Sequence, residues 1–168
     1  MEQWLVPDMK KLQINYSPFK LSIMDKNTKI KEIMTTNVIT LRPYDTMDKV
    51  KEVFDQNNIH HIPIIGGNKI VGIISQSDYL KILHGFTLFK TQNSETYNNA
   101  ILRSLLVAEV MTRQVATLSP EDSIQIAADH FRENYFHALP IVSENKELVG
   151  IVTTYDLINY AYSRVTVL

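Results

Sequence analysis

Cysteine is absent from this chain of 168 residues. Disulfides, thiolate nucleophiles and zinc–thiolate centres are therefore excluded. Also missing is any run of about 18 apolar residues, the length a membrane-spanning helix requires. The opening "MEQWLVPDMKK" carries Glu2 and Asp8 and lacks the apolar stretch of a signal peptide. Neither sign of charge is in excess: Lys plus Arg is 17, Asp plus Glu is 18, and the formal net charge is -1. A nucleic-acid binder working by phosphate neutralisation needs a surplus of cations. No basic run or basic amphipathic helix points to a membrane surface. The expectation is a soluble, cytoplasmic protein that binds neither nucleic acid nor membrane.

Catalytic signatures are missing as well. There is no Gly-x-Ser-x-Gly elbow. "IGGNK" lacks the Walker pattern and reads as a hairpin turn. The histidines are His60, His61, His84, His130 and His137, and none forms an i, i+4 helical metal pair. His60 and His61, adjacent in a strand, would point to opposite faces. The chain is expected to be no enzyme, to hold no metal and to require no cofactor.

What the chain does have is hydrophobic residues at 45%, enough for a core, and an internal repeat. "IMTTNVITLRPYDTM" (33–47) sets Met34, Thr35, Val38, Thr40, Leu41, Pro43 and Asp45 on the matching residues of "VMTRQVATLSPEDSI" (110–124). Phe54, Asn57, His60 and Pro63 then fall on Phe131, Asn134, His137 and Pro140. After one extra residue in the second copy, Gly72 matches Gly150 and Asp78 matches Asp156. The repeated unit spans roughly 30–84 and 107–163.

Each copy reads as strand, helix, strand, strand, helix. "VITL" and "VATL" are short β-branched runs ended by Pro43 and Pro120. Asp45 and Asp122 stand where a helix N-cap belongs, with Asp48 and Gln125 three residues on. Met47, Val50 and Phe54 recur at helical spacing, as do Ile124, Ala127, Ala128 and Phe131. Asn57 and Asn58 close the first helix and Asn134 the second. "IHHIPII" and "IVGII", like "FHALPIV" and "LVGIV", are joined by turns into hairpins. A copy of about 55 residues is marginal alone, so the copies should pack through their sheets about a pseudo-twofold axis. Between them a helix should resume near Tyr97 to Leu106. The first 29 residues match neither copy and read as a flexible tail or a strap across the core, the strap being favoured by Trp4, Leu5, Ile14, Tyr16 and Phe19.

Two stretches carry the functional signal: "GIISQSD" (72–78) and "GIVTTYD" (150–156). Ser75 with Asp78, and Thr153 with Asp156, form capping-box patterns where a strand meets a helix. The same groups suit a ligand. A hydroxyl and amides at a helix start favour an anion, and a carboxylate can accept from two vicinal ribose hydroxyls. Gly72 and Gly150 leave room for a ligand or another backbone.

Taken together, "IMTTNVITLRPYD" with "VMTRQVATLSPED", "IHHIPII" with "FHALPIV", and "VGIISQSD" with "LVGIVTTYD" resemble a tandem pair of CBS domains, the Bateman module. The resemblance implies an α/β (α+β) fold of two β-α-β-β-α units. It divides the chain into an extension (1–29), a first CBS domain (30–84), a linker with a helix (85–106) and a second CBS domain (107–168). It further implies two clefts between the copies for an adenosine-containing regulatory ligand, AMP, ADP or ATP. Cleft one would use Thr40, Ile59 and His60 with Thr153 and Asp156. Cleft two would use Thr117, Phe136 and His137 with Ser75 and Asp78. Stacking on Phe136 would make cleft two the tighter site. Arg113, where copy one has Thr36, would support phosphate on one side only. A homodimer and a regulated partner protein are also implied. S-adenosylmethionine sensing and a ligand-free interaction module stay open as alternatives.

Overall fold

The structure, a computed structural model, describes residues 25–86, 94–133 and 136–163. In repeat one, a short 3-10 turn (Ile30–Glu32) leads to α1 (Met47–Gln56), β1 (His61–Gly66), β2 (Lys69–Ser75) and α2 (Gln76–Phe86). α3 (Ser94–Ser104) and α4 (Val107–Val110) connect to repeat two: α5 (Ile124–Arg132), β3 (Ala138–Val142), β4 (Leu148–Thr153) and α6 (Thr154–Ser163). The linker helix thus starts before Tyr97 and stops short of Leu106, which instead caps α4.

Each repeat holds one antiparallel hairpin, β1 with β2 and β3 with β4. The register slips at matching places, between Ile64 and Ile65 and between Ile141 and Val142. Val71 and Val149 are the extra residues on the longer side, so each hairpin carries the same bulge and local twist. The turns reach the left-handed region with different residues, Gly67 and Lys146, both at φ 65°. Glycine adopts that conformation without strain, whereas Lys146 adopts it at a steric cost.

The β-branched runs differ from expectation. "VITL" and "VATL" form no strand but single parallel bridges, Leu41 to Ile64 and Leu118 to Ile141. The reason is the turn that follows at once. Asp45 N–H donates to Arg42 O (3.0 Å) while Asp45 Oδ2 accepts from Arg42 N–H (2.7 Å). Asp122 closes Ser119–Asp122 in the same way (3.1 and 2.7 Å). These aspartates are therefore turn closers, and the N-caps of α1 and α5 fall one residue later, on Thr46 and Ser123. Asn57 caps the end of α1, but α5 ends on Glu133. Asn134 lies outside the described residues.

Packing exchanges the lead-in segments between repeats. Thr35 pairs with Ile151 of β4, and Thr112 pairs with Ile73 of β2, each through two backbone hydrogen bonds of 2.9–3.0 Å. Ile30, Ile33 and Met34 join the core around Leu118, Leu139, Ile141 and Val152, although they belong to repeat one in sequence. Val107 and Met111 likewise join the core of Met47, Val50, Ile62, Ile64 and Ile74. Neither core is complete without the other copy's lead-in, which supplies the apolar area that a unit of this size lacks. The glycines serve this exchange. A Cβ on Gly72 would meet Met111 Cγ at 2.9 Å, and one on Gly150 would meet Met34 Sδ at 2.7 Å and Thr35 O at 3.1 Å. The strap expected at the N-terminus falls mainly on residues 1–24, outside the described residues. Of its end, Thr28 is buried against repeat two: its O accepts from Ile124 N–H (2.9 Å) and its hydroxyl meets Tyr160 OH (2.5 Å).

Candidate functional site

β2 runs into α2 with no loop between them, and β4 runs into α6 in the same way. At such a junction the first-turn N–H groups lose their strand partners and need new acceptors. The sequence provides them. Ser75 N–H and Oγ–H both donate to Asp78 Oδ2 (3.1 and 2.6 Å), and Asp78 N–H returns to Ser75 Oγ (3.2 Å). Thr153 and Asp156 repeat the box at 2.7, 2.7 and 3.3 Å. Next in line, Gln76 N–H donates to His60 O (2.8 Å) and Thr154 N–H to His137 O (3.3 Å). Both acids are therefore caps, and they also face open clefts.

Cleft one encloses about 460 Å³ and is lined by Ile59 and His60 ahead of β1 and by Thr153, Tyr155 and Asp156 at the start of α6. Thr35, Asn58, Ile151, Thr154, His61 and His137 also line it. Cleft two encloses about 270 Å³, between Phe136 and His137 ahead of β3 and Ser75, Ser77 and Asp78 at the start of α2. Each cleft thus joins one repeat's cap to the other repeat's pre-strand residues. Thr40 and Thr117 are half-buried and line neither cleft. Gln114, Val115 and Ala116, the main chain just before Thr117, line cleft two instead. Arg113 is exposed, its guanidinium donates to Ala108 O (2.8 Å), and it lines neither cleft.

His61 was not among the expected site residues, yet it and His137 line both clefts. The paired "HH" marked the place, but the expected alternation does not separate the two: β1 begins at His61, and both histidines line cleft one. Burial pushes the His61 pKa below the usual histidine range; His137 and His60 lower it further, and Asp78 opposes them. Tyr155, also unexpected, is 68% exposed on the wall of cleft one.

The two acids are not equivalent. Asp78 Oδ1 lies 3.2 Å from Lys81 Nζ. Burial raises the Asp78 pKa, but the Ser75 hydrogen bonds and Lys81 outweigh it and hold the carboxyl below its ordinary value. Asp156 has Asn159 at the position of Lys81, and its Oδ1 meets no partner among the described residues. Phe136 is half-buried, packs on the second core and meets His130 edge-on at 6.0 Å. Among the described residues, no cluster of three or more His, Asp or Glu could hold a metal ion, and no helix is long and apolar enough to cross a membrane.

Comparison with known proteins agrees with this architecture. A model of the CBS domain matches residues 30–85 and 107–163. Protein MJ1225 from Methanocaldococcus jannaschii is 29% identical over 140 residues, which is 83% of this chain and 49% of MJ1225. Its crystal structure aligns at a TM-score of 0.69, covering 83% of this chain and 50% of that one. An inosine-5'-monophosphate dehydrogenase from Korarchaeum cryptofilum is 31% identical over 121 residues, 72% of this chain and 22% of the enzyme. The chain therefore spans half or less of these curated relatives. The CBS domain pair of protein MJ0100, solved with 5'-methylthioadenosine and S-adenosyl-L-methionine, is 26% identical at a TM-score of 0.64, covering 79% of this chain and 94% of that one. With two matched repeats, exchanged lead-ins and two inter-repeat clefts, this chain belongs to the CBS domain family as a tandem CBS pair, a regulatory module.

Proposed function

We propose that the chain senses an adenosine-containing ligand in the clefts between its repeats and signals by a change in their packing, without catalysing a reaction. The observation that carries this is the pairing in each cleft of a Ser/Thr–Asp cap from one repeat with a histidine and an apolar residue from the other. A ligand held there touches both repeats. Its affinity then depends on how they pack, and binding shifts that packing. The likeness to the MJ0100 pair, solved with two adenosyl compounds, supports this ligand class.

Cleft one is the primary site in this reading. Its volume falls within the range of about 300–1,000 Å³ usual for small-molecule sites, and that of cleft two falls below it. The uncommitted Oδ1 of Asp156 is available to ribose hydroxyls, and Ile59 and Tyr155 offer apolar surface to the base. This reverses the order expected from Phe136, whose ring is partly spent on the core.

Calorimetric titration of the full chain with adenosine, AMP, ATP and S-adenosylmethionine tests the proposal. The expected outcome is saturable heat with at least one of them and weakened binding in Asp156→Asn, which keeps a cap acceptor. No heat with any adenosine-containing ligand sinks it. The completeness of both caps favours a second reading, an interaction module with empty clefts. In that case no nucleotide raises the melting temperature.

A further inference from the structure

We infer that cleft one holds the phosphate of its nucleotide on histidine, so that nucleotide binding takes up a proton and nucleoside binding does not. This rests on the nucleotide reading above and adds the regulation of that site.

Three observations lead to it. First, among the described residues neither cleft is lined by lysine or arginine. Arg113, the cation expected beside a phosphate, donates to Ala108 O, and Lys81 pairs with Asp78. Second, several of the helix-start donors on which a phosphate would ordinarily sit are engaged within the fold. Thr153 N–H and hydroxyl go to Asp156, Asp156 N–H goes to Thr153 Oγ1, and Thr154 N–H goes to His137 O. Third, His60, His61 and His137 all line cleft one.

The charged and titratable groups facing the cluster come from every element around it: His60 and His61 at β1, His137 ahead of β3, Tyr155 and Asp156 on α6, and Asp78 on α2. With His61 held toward its neutral form by burial and by its fellow histidines, a phosphate entering at neutral pH meets the Asp156 carboxylate and, among the described lining residues, no lysine or arginine. An imidazolium relieves this, and the phosphate in turn stabilises the imidazolium. By linkage, protons and phosphate raise each other's affinity. Because His61 and His137 also line cleft two, the proton taken up at one cleft changes the field in the other.

The test is calorimetry on the full chain with AMP and with adenosine between about pH 6 and 8, in buffers of different ionisation heat. The expected AMP affinity rises as pH falls, by up to about tenfold per pH unit for one proton, while that of adenosine moves by less than about twofold. Buffer-dependent heat then reports proton uptake for AMP alone. The phosphate itself protonates near about pH 6, so the histidine ring protons are also titrated by NMR. Imidazole pKa values that rise on AMP saturation assign the proton to the chain, and His60→Gln/His137→Gln, both exposed positions, flattens the AMP profile. Parallel profiles for the two ligands, or imidazoles unmoved by AMP, overturn the proton coupling and leave the nucleotide reading standing. Binding of neither ligand at any pH overturns both.

Discussion

The two repeats agree where they hold the fold and differ where they face the clefts. Both close a Pro–Asp turn, bulge at the same valine, seat a methionine on a glycine and box a hydroxyl with an aspartate. At the clefts, Ile59 stands against Phe136, Ser77 against Tyr155 and Lys81 against Asn159. The result is one larger cleft with an open carboxylate and one smaller cleft with a paired one. Duplication has kept the groups that satisfy buried backbone. It has varied several side chains at the clefts, so the two clefts differ in size and in charge pairing.

Core truncation gives the largest test of the likeness. Ile62 and Leu139 are fully buried at matching positions, and each change to Ala should cost about 2–5 kcal/mol in urea unfolding. A single cooperative transition in both variants is expected, because each core contains the other copy's lead-in. Separate transitions would break the comparison.

Gly72→Ala and Gly150→Ala should each cost about 1–3 kcal/mol by overpacking. Gly150→Ala should cost more, because its Cβ would meet the backbone carbonyl of Thr35 as well as flexible Met34, whereas the three atoms nearest a Cβ on Gly72 all belong to the Met111 side chain. Equal melting temperatures for the two variants would remove that distinction.

Loss of a cap comes next: Asp78→Ala and Asp156→Ala should each lose about 0.5–2 kcal/mol. For Asp78 the pH dependence has a definite sign. Its folded pKa lies below that of the unfolded chain, so its contribution is present above about pH 4 and is lost as pH falls through the folded value. The stability gap between the wild type and Asp78→Asn should therefore narrow in acid, read from urea midpoints across the range.

The smallest effect expected is from Arg113→Ala. Its side chain is exposed with one hydrogen bond, so thermal unfolding should shift stability by no more than about 0.5 kcal/mol.

Several features were legible in the sequence because they are local. The capping boxes span three residues, the hairpins join adjacent strands, and α1 shows its buried face through Met47, Val50 and Phe54. The misplaced caps were errors of one residue: an aspartate after proline can close a turn as readily as start a helix, and the hydroxyl beside it completes the pattern. The strand expected at "VITL" shrank to one bridge because the turn at Arg42 leaves no room to extend it.

Sequence alone determined that there are two like units, that each is a hairpin between helices, and that an acid caps each second helix. Those follow from hydrogen bonds and apolar spacing within a few residues. Only the tertiary structure decided that Met34 belongs to the second core and Met111 to the first, that Gly72 and Gly150 make room for those methionines, and that His61 reaches both clefts. Each of these is a contact between segments far apart in sequence. Such contacts are set by which surfaces close on one another, and no local pattern records that.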